Sequence, residues 1–194
     1  MKFKSSSASI RKTLIAKRKC LSDIESRIKS KLICRNLLKT NWFQRSQHIA
    51  FYIAVNGEVD CSSLIEIAWK TKKYCYLPVL HPLKHNQLWF LRFTPETKMQ
   101  YNRYGILEPI VKSRQFILPW MLDCIIMPLV AFDNVYNRLG MGAGFYDRTL
   151  TFTKTHSYPT KPLLIGLAYE FQKVEKIIPE PWDIPLDTVI TEIF

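Results

Sequence analysis

The sequence predicts an α/β fold of three layers around a mostly parallel sheet. Two helical patterns come first, and from residue 48 short apolar runs of strand length alternate with helical stretches. The chain has 194 residues, 47% of them hydrophobic, which suffices for one buried core and a ligand cleft. A single domain over residues 1–194 follows, with N-terminal helices over about 7–39 and the sheet core over about 48–192. Charged residues make up 23%, and no apolar run approaches the roughly 18 residues of a membrane span. A soluble globular protein is expected, and no internal repeat or long low-complexity linker divides it.

Each element has its own signal. Ile10, Leu14 and Ile15 recur on one helical face with Arg11, Lys12, Lys17, Arg18 and Lys19 beside it; the last three are expected to face solvent. Ser22-Asp23-Ile24-Glu25 is a capping-box pattern that starts a second helix running to about Lys39, with Ile24, Ile28 and Leu32 facing inward. His48 to Val55 reads as a strand ended by Asn56-Gly57, so Glu58 stands at the carboxyl edge where α/β sheets bind ligands. Asp60 can cap a helix through about Lys70. Tyr74–Val79 and Leu88–Phe93 read as strands, and Asp123–Val130 as a buried strand leading into a glycine-rich loop. A helix over about 144–151 and a strand over Leu163–Tyr169 complete the alternation. Pro159, Pro162, Pro179, Pro181 and Pro185 break the last third into short irregular connections.

The net charge of +12 is unevenly placed. Residues 1–45 hold 13 Lys/Arg and 2 acids, whereas the rest holds 15 and 14, so the body is nearly neutral. Such a start could be a transit peptide or an arm that grips nucleic acid, but its helical periodicity favours a solvated helix face. Five cysteines (20, 34, 61, 75, 124) form no C-x-x-C pair and no metal spacing. They read as small buried hydrophobes in a reducing cytoplasm. His81 and His85 stand four apart, but Pro82 follows the first, between strands, which argues against a helical zinc pair.

The chemistry is concentrated in Arg138-Leu139-Gly140-Met141-Gly142-Ala143-Gly144-Phe145-Tyr146-Asp147-Arg148. Alternate glycines let a backbone turn tightly and bring its N–H groups against phosphate oxygens, where a Cβ would obstruct. Arg138 and Arg148 flank this cradle, and Asp147 is a hard oxygen ligand of the kind Mg²⁺ takes beside substrate phosphates. No Lys-Ser/Thr follows the glycines as in a Walker loop, and the third glycine comes one residue early for the dinucleotide fingerprint. The segment reads as a seat for a metal–nucleotide complex.

Arg138 to Leu150 resembles the signature of the 5-formyltetrahydrofolate cyclo-ligases, or methenyltetrahydrofolate synthetases. The resemblance continues in family order over roughly residues 10 to 192. Arg11–Leu21 resembles the family's basic first helix, Phe51–Asp60 its strand ending in Gly-Glu, and Tyr76–Leu80 its Leu-Pro-Val strand. Met127–Asp133 resembles its Pro-Leu-Val-Ala-Phe-Asp segment, and Trp182-Asp183-Ile184-Pro185-Leu186 its C-terminal motif. The resemblance implies the open α/β sandwich shared with sugar-phosphate isomerases and CoA transferases. It also implies ATP-dependent closure of 5-formyltetrahydrofolate to the 5,10-methenyl form.

The implied roles follow residue by residue. Arg11, Lys12, Arg138, Leu139, Gly140, Met141, Gly142, Ala143, Gly144, Phe145 and Tyr146 would bind ATP. Ile53, Glu58, Tyr104 and Phe145 would line the folate side. Glu58, Arg138 and Tyr146 would serve catalysis, and Asp147 with Asp183 would anchor Mg²⁺. Ala143 and Ser7 stand where some relatives have Lys, so Arg11 or Arg138 carries more of the phosphate charge. The expected partners are a reduced folate and ATP, with no membrane and no nucleic acid, and the expected state is a cytoplasmic monomer. Two other readings stand beside this one: a nucleic-acid-binding protein using the basic N-terminal helices, and a sugar-phosphate enzyme of the same fold that needs no ATP.

Overall fold

The computed structural model describes residues 7–110, 116–154 and 161–194; Pro159 lies outside them. Helices α1 (Ser7–Lys19), α2 (Asp23–Leu38) and α3 (Asn41–Arg45) precede the first strand, and α4 (Ser62–Lys70) and α5 (Phe145–Thr149) follow within the sheet region. The strands are β1 (His48–Ala50), β2 (Tyr74–Leu80), β3 (Leu88–Arg92), β4 (Met99–Tyr101), β5 (Leu107–Pro109) and β6 (Phe116–Ile117). They continue with β7 (Cys124–Pro128), β8 (Ala131–Phe132), β9 (Arg138–Leu139), β10 (Leu163–Leu167) and β11 (Thr188–Ile190).

Seven strands form one sheet in the order β11-β10-β7-β1-β2-β3-β6. The run from β11 to β2 is parallel, with Ile49 opposite both Cys75 and Cys124, while β3 and β6 add an antiparallel edge. Side chains alternate across the sheet. Cys124 and Ile126 of β7 enter a core with Ile33, Leu37 and Leu64 of α2 and α4, whereas Ile125 and Met127 enter a second core with Leu150, Ile184 and Leu186. Burial on both faces is what a parallel sheet requires. The second face is covered by α5 and irregular C-terminal segments rather than by a row of long helices. A third small cluster packs Leu14 of α1 against Val130, Ala131, Leu139 and Ile177.

Because the central strands are parallel, their carboxyl ends share one edge, and the segments leaving them meet there. The chain leaves regular pairing after Ala50, earlier than the predicted strand to Val55, and runs on to the turn at Asn56 (φ 52°) and Gly57 (φ 73°). β7 leads into the short hairpin of β8 and β9, whose Phe132 pairs with Arg138. The β10 strand stops at Leu167, two residues short of the predicted end.

Three helix expectations are corrected. The capping box on α2 forms as expected: Ser22 Oγ accepts from the Glu25 amide and Glu25 accepts from the Ser22 amide. The inward face, however, is Ser30, Ile33, Cys34 and Leu37, and Ile24, Ile28 and Leu32 are exposed. Both sets have helical spacing, and only the packing partners choose between them. Ser30 belongs inside because its hydroxyl accepts the Asp60 amide at 3.1 Å. On α1, Lys17 and Lys19 are exposed as expected, but Arg18 is buried at 2% exposure with Nη1 donating to the Leu129 carbonyl. The cap expected at Asp60 is displaced by one residue: Cys61 occupies the N-cap of α4 and makes no side-chain capping bond, while Asp60, just before it, accepts the Ser62 amide at 2.9 Å. Four of the five cysteines are buried, and burial pushes the Cys34 thiol up to about 11; Cys20 is exposed.

The correction on α2 has a direct test. Ile33→Ala should destabilise the fold by about 2–5 kcal/mol, because the methyl groups it removes leave a cavity. Ile28→Ala should stay within about 0.5 kcal/mol. Equal losses in paired denaturant melts would show that the exposed assignment of Ile28 is wrong.

Candidate active site

The glycine loop leaves β9 and enters α5, and its shape depends on two left-handed residues. Gly142 (φ 108°) and Gly144 (φ 66°) hold conformations that L side chains rarely adopt. A Cβ on Gly144 would also lie 2.8 Å from Arg148 Nη1, which donates to the Ala143 carbonyl at 2.6 Å and braces the loop from within. From the other side Arg11 of α1 donates through Nε to the Gly140 carbonyl at 2.8 Å, and its guanidinium lies within 3.9 Å of where a Gly142 Cβ would stand. Thus two arginines from distant parts of the chain hold a loop whose own residues carry no cation between Leu139 and Asp147.

Arg138 lies beneath the loop and is buried. Its Nη2 donates to Asp147 Oδ1 at 2.6 Å and its Nη1 to the Ile184 carbonyl; Asp147 Oδ1 also accepts the Ile184 amide at 3.1 Å. Burial pulls the Arg138 guanidinium below its ordinary value, against the opposing charges of Asp147 and Asp183. Both contacts on Asp147 use one carboxylate oxygen, so neither occupies Oδ2. Asp183 accepts the Glu180 amide through Oδ2 at 2.9 Å and lines the same space.

The opposite wall is less charged. Glu58 is buried, its Oε2 accepting the Val55 amide at 3.1 Å. Burial raises its pKa, against the lowering effects of that hydrogen bond and of Arg18. Burial also pushes the Tyr146 hydroxyl up, and the charge of Glu58 adds to it. Tyr104 and Phe145 meet edge to face, centroids 5.8 Å apart at 82°, and offer an aromatic surface at the mouth. The Tyr104 loop is fixed by Asn102, whose Oδ1 accepts the Tyr104 and Ile106 amides, and by buried Glu108, which accepts from Asn102 Nδ2 at 3.1 Å.

All of this surrounds one cavity of about 1130 Å³, larger than the pockets that hold a single drug-sized ligand. Arg11, Ile53, Glu58, Tyr104, Asp183 and the whole run from Arg138 to Arg148 line it, so nearly every residue singled out in the sequence converges here. Lys12 does not: it is exposed on α1 and stands outside the lining. Asn102 and Glu108 escaped sequence reading. Asn102 sits in a Gly-containing turn, where its side chain was a readable signal, whereas Glu108 had none.

Gly142→Val should abolish binding of a non-hydrolysable ATP analogue without unfolding the protein, since a β-branched side chain both resists φ near 108° and abuts Arg11. Unchanged affinity by calorimetry in the folded variant would reduce the loop to a plain turn.

Comparisons with known proteins agree with this geometry. The model of the 5-formyltetrahydrofolate cyclo-ligase family matches residues 3–192. The 5-formyltetrahydrofolate cyclo-ligase of Haemophilus influenzae is 42% identical over 147 residues, covering 76% of each chain. That of Escherichia coli K12 is 45% identical over 143 residues, 74% of this chain and 76% of its own. Among solved structures, the 5,10-methenyltetrahydrofolate synthetase of Aquifex aeolicus superposes with a TM-score of 0.80 at 34% identity, over 96% of this chain and 89% of the other. With the glycine loop, its flanking arginines and the facing Glu58 wall assembled around one cavity, the chain belongs to the 5-formyltetrahydrofolate cyclo-ligase family.

Proposed function

We propose that this cavity closes 5-formyltetrahydrofolate to 5,10-methenyltetrahydrofolate, consuming ATP and releasing ADP and phosphate through a phosphorylated formyl group. The single observation supporting it is that the glycine loop with Arg11 and Arg138, and the Glu58–Tyr104–Phe145 wall, line one cavity in a chain of this family. A nucleotide at the first and a folate at the second would bring their reacting ends together.

The chemistry follows from the poor leaving ability of a formamide oxygen. Attack of that oxygen on the γ-phosphorus forms an O–P bond and breaks the bond to ADP. The neighbouring folate amine then adds to the formyl carbon, its proton leaves, and the C–O bond breaks to release phosphate. Positioning and charge stabilisation are the protein's contributions. Arg11 and Arg138 hold the phosphates against the Gly140–Gly144 backbone, and Lys12, exposed on the same helix, adds long-range attraction. Ile53, Phe145 and Tyr104 seat the folate ring. Glu58, whose burial raises its pKa, takes the amine proton. Tyr146, held neutral, donates a hydrogen bond near the transferring group.

Asp147 and Asp183 fit Mg²⁺, which takes only one or two carboxylates beside phosphate oxygens; the contacts Asp147 makes leave its Oδ2 for such an ion. When bound, the ion neutralises charge developing on the phosphate oxygens. The cytoplasmic reading is supported by five unpaired cysteines. Among the described residues no helix is long and apolar enough to cross a membrane.

Absorbance of the methenyl product should grow with 5-formyltetrahydrofolate and ATP together and stay flat when ATP is omitted; turnover of a sugar phosphate without ATP would favour the alternative enzyme of this fold. Asp147→Asn keeps an acceptor for Arg138 and Ile184 but loses the charge, so turnover should collapse while the thermal transition persists. Near-normal rates at limiting Mg²⁺ would remove Asp147 from the metal. Arg11→Ala should raise KM for ATP roughly tenfold or more, since a charge-assisted contact is worth about 1.5–3 kcal/mol. The pair Lys17→Ala with Lys19→Ala should do little. Comparable losses from the pair would mean diffuse attraction rather than a specific phosphate contact.

A further inference from the structure

We propose that Arg18 is a positioning residue for the folate end of the cavity: anchored on the Leu129 carbonyl and packed beneath Gly57, it fixes the Asn56-Gly57-Glu58 turn and supplies the buried positive charge facing Glu58. The inference rests on the reading of Glu58 as a substrate-side group.

Three observations support it. First, Arg18 is 2% exposed and makes one hydrogen bond, Nη1 to the Leu129 carbonyl at 3.1 Å; its Nε and Nη2 find no partner among the described residues. Unpaired buried donors are costly, and for stability alone an apolar side chain of similar volume would serve as well or better. The charge therefore answers to something other than packing. Second, the turn packs against the backbone and Cβ of this residue, which brings the Glu58 turn to the root of its side chain. A Cβ on Gly57 would lie 3.3 Å from the Arg18 carbonyl oxygen and 3.4 Å from Arg18 Cβ, so only glycine lets the chain pass this close with φ at 73°. Third, the Leu129 carbonyl that Arg18 holds is shared with Gln172 Nε2 at 2.9 Å, and Leu129 lines the cavity. Arg18 thus joins α1 to two walls of the site at once.

The electrostatics have one sign. The groups whose charges act on or respond to Glu58 are Arg18 from α1, Tyr52 from the segment after β1 and Tyr146 from α5. Burial pushes both tyrosine hydroxyls up, so they stay neutral, and an arginine stays charged. Burial raises the Glu58 pKa and Arg18 opposes that rise. Removing the cation should therefore move the pKa of Glu58 higher, and an activity that needs ionised Glu58 should lose its acid side at a higher pH.

The test is steady-state kinetics of Arg18→Met, Arg18→Lys, Glu58→Gln and the double variant Arg18→Met/Glu58→Gln, with folate and ATP varied separately across pH. Arg18→Met should raise KM for folate by roughly tenfold with KM for ATP changed less than about twofold, an effect within the range found for coupled sites. The acid limb of kcat/KM for folate should shift to higher pH. Arg18→Lys should return the limb toward its original position, and Arg18→Met should add little once Glu58 is already Gln. Additive losses in the double variant, equal effects on both substrates, or an unmoved acid limb would reduce Arg18 to a structural residue and overturn the inference. If Arg18→Met does not fold, Arg18→Gln must show the same limb shift. A kinetically silent Glu58→Gln overturns the Glu58 reading and the Arg18 inference together; an impaired Glu58→Gln beside a silent Arg18→Met overturns the Arg18 inference alone.

Discussion

A buried guanidinium cannot shed its charge and must be given oxygen partners, and the partners of Arg138 organise this site. Asp147 and the Ile184 carbonyl satisfy it, and Asp147 in turn accepts the Ile184 amide. One side chain therefore ties the end of β9, the first turn of α5 and the C-terminal segment into a single knot. The glycine loop lies between two of these fixed points, so its course is constrained even though its residues are small. Asp183, one residue before Ile184, comes to the cavity as a consequence.

The first helix supplies the second constraint. Its apolar residue Leu14 packs on Val130, Ala131 and Leu139, laying the helix across the carboxyl edge of the sheet. Seven residues then separate Arg11 from Arg18, about two helical turns, so both project toward the same side of the helix. One reaches the Gly140 carbonyl and the other the Leu129 carbonyl beneath the Glu58 turn. The basic character of this segment therefore has two physical meanings. Lys12, Lys17 and Lys19 are solvated charges, while the two arginines use their planar donors to hold backbone on either side of the cavity.

The places where sequence reading went astray share a cause. Ile24, Ile28 and Leu32 have the same spacing as a buried stripe, yet the helix turns Ser30, Ile33, Cys34 and Leu37 inward because Asp60 and Tyr169 offer Ser30 its hydrogen-bonding neighbours. Arg18 looked like one base among five, and only the approach of Gly57 and Leu129 from remote parts of the chain buries it. Glu108 of β5 accepts from Asn102 and from the Leu80 amide of β2, which belongs to a different sheet, and no local pattern announces that meeting.

The sequence alone determined the fold class, the start of α2, the Asn56-Gly57 turn and the identity of the glycine loop, because each is carried by patterns of residues near one another in the chain. Backbone freedom, capping and periodicity are local properties and can be read locally. Nearly all the residues it singled out for the site line the cavity, Lys12 apart, since motif residues act on a shared ligand. Tertiary structure alone decided which face of α2 is buried, which of five neighbouring bases carries a buried charge, and that Arg138 grips Asp147 and Ile184. Those outcomes depend on desolvation and on partners outside the local pattern, from nine residues away for Asp147 to 111 for the Leu129 carbonyl on Arg18, and the cost of burying a charge is set by the oxygens the fold brings to it.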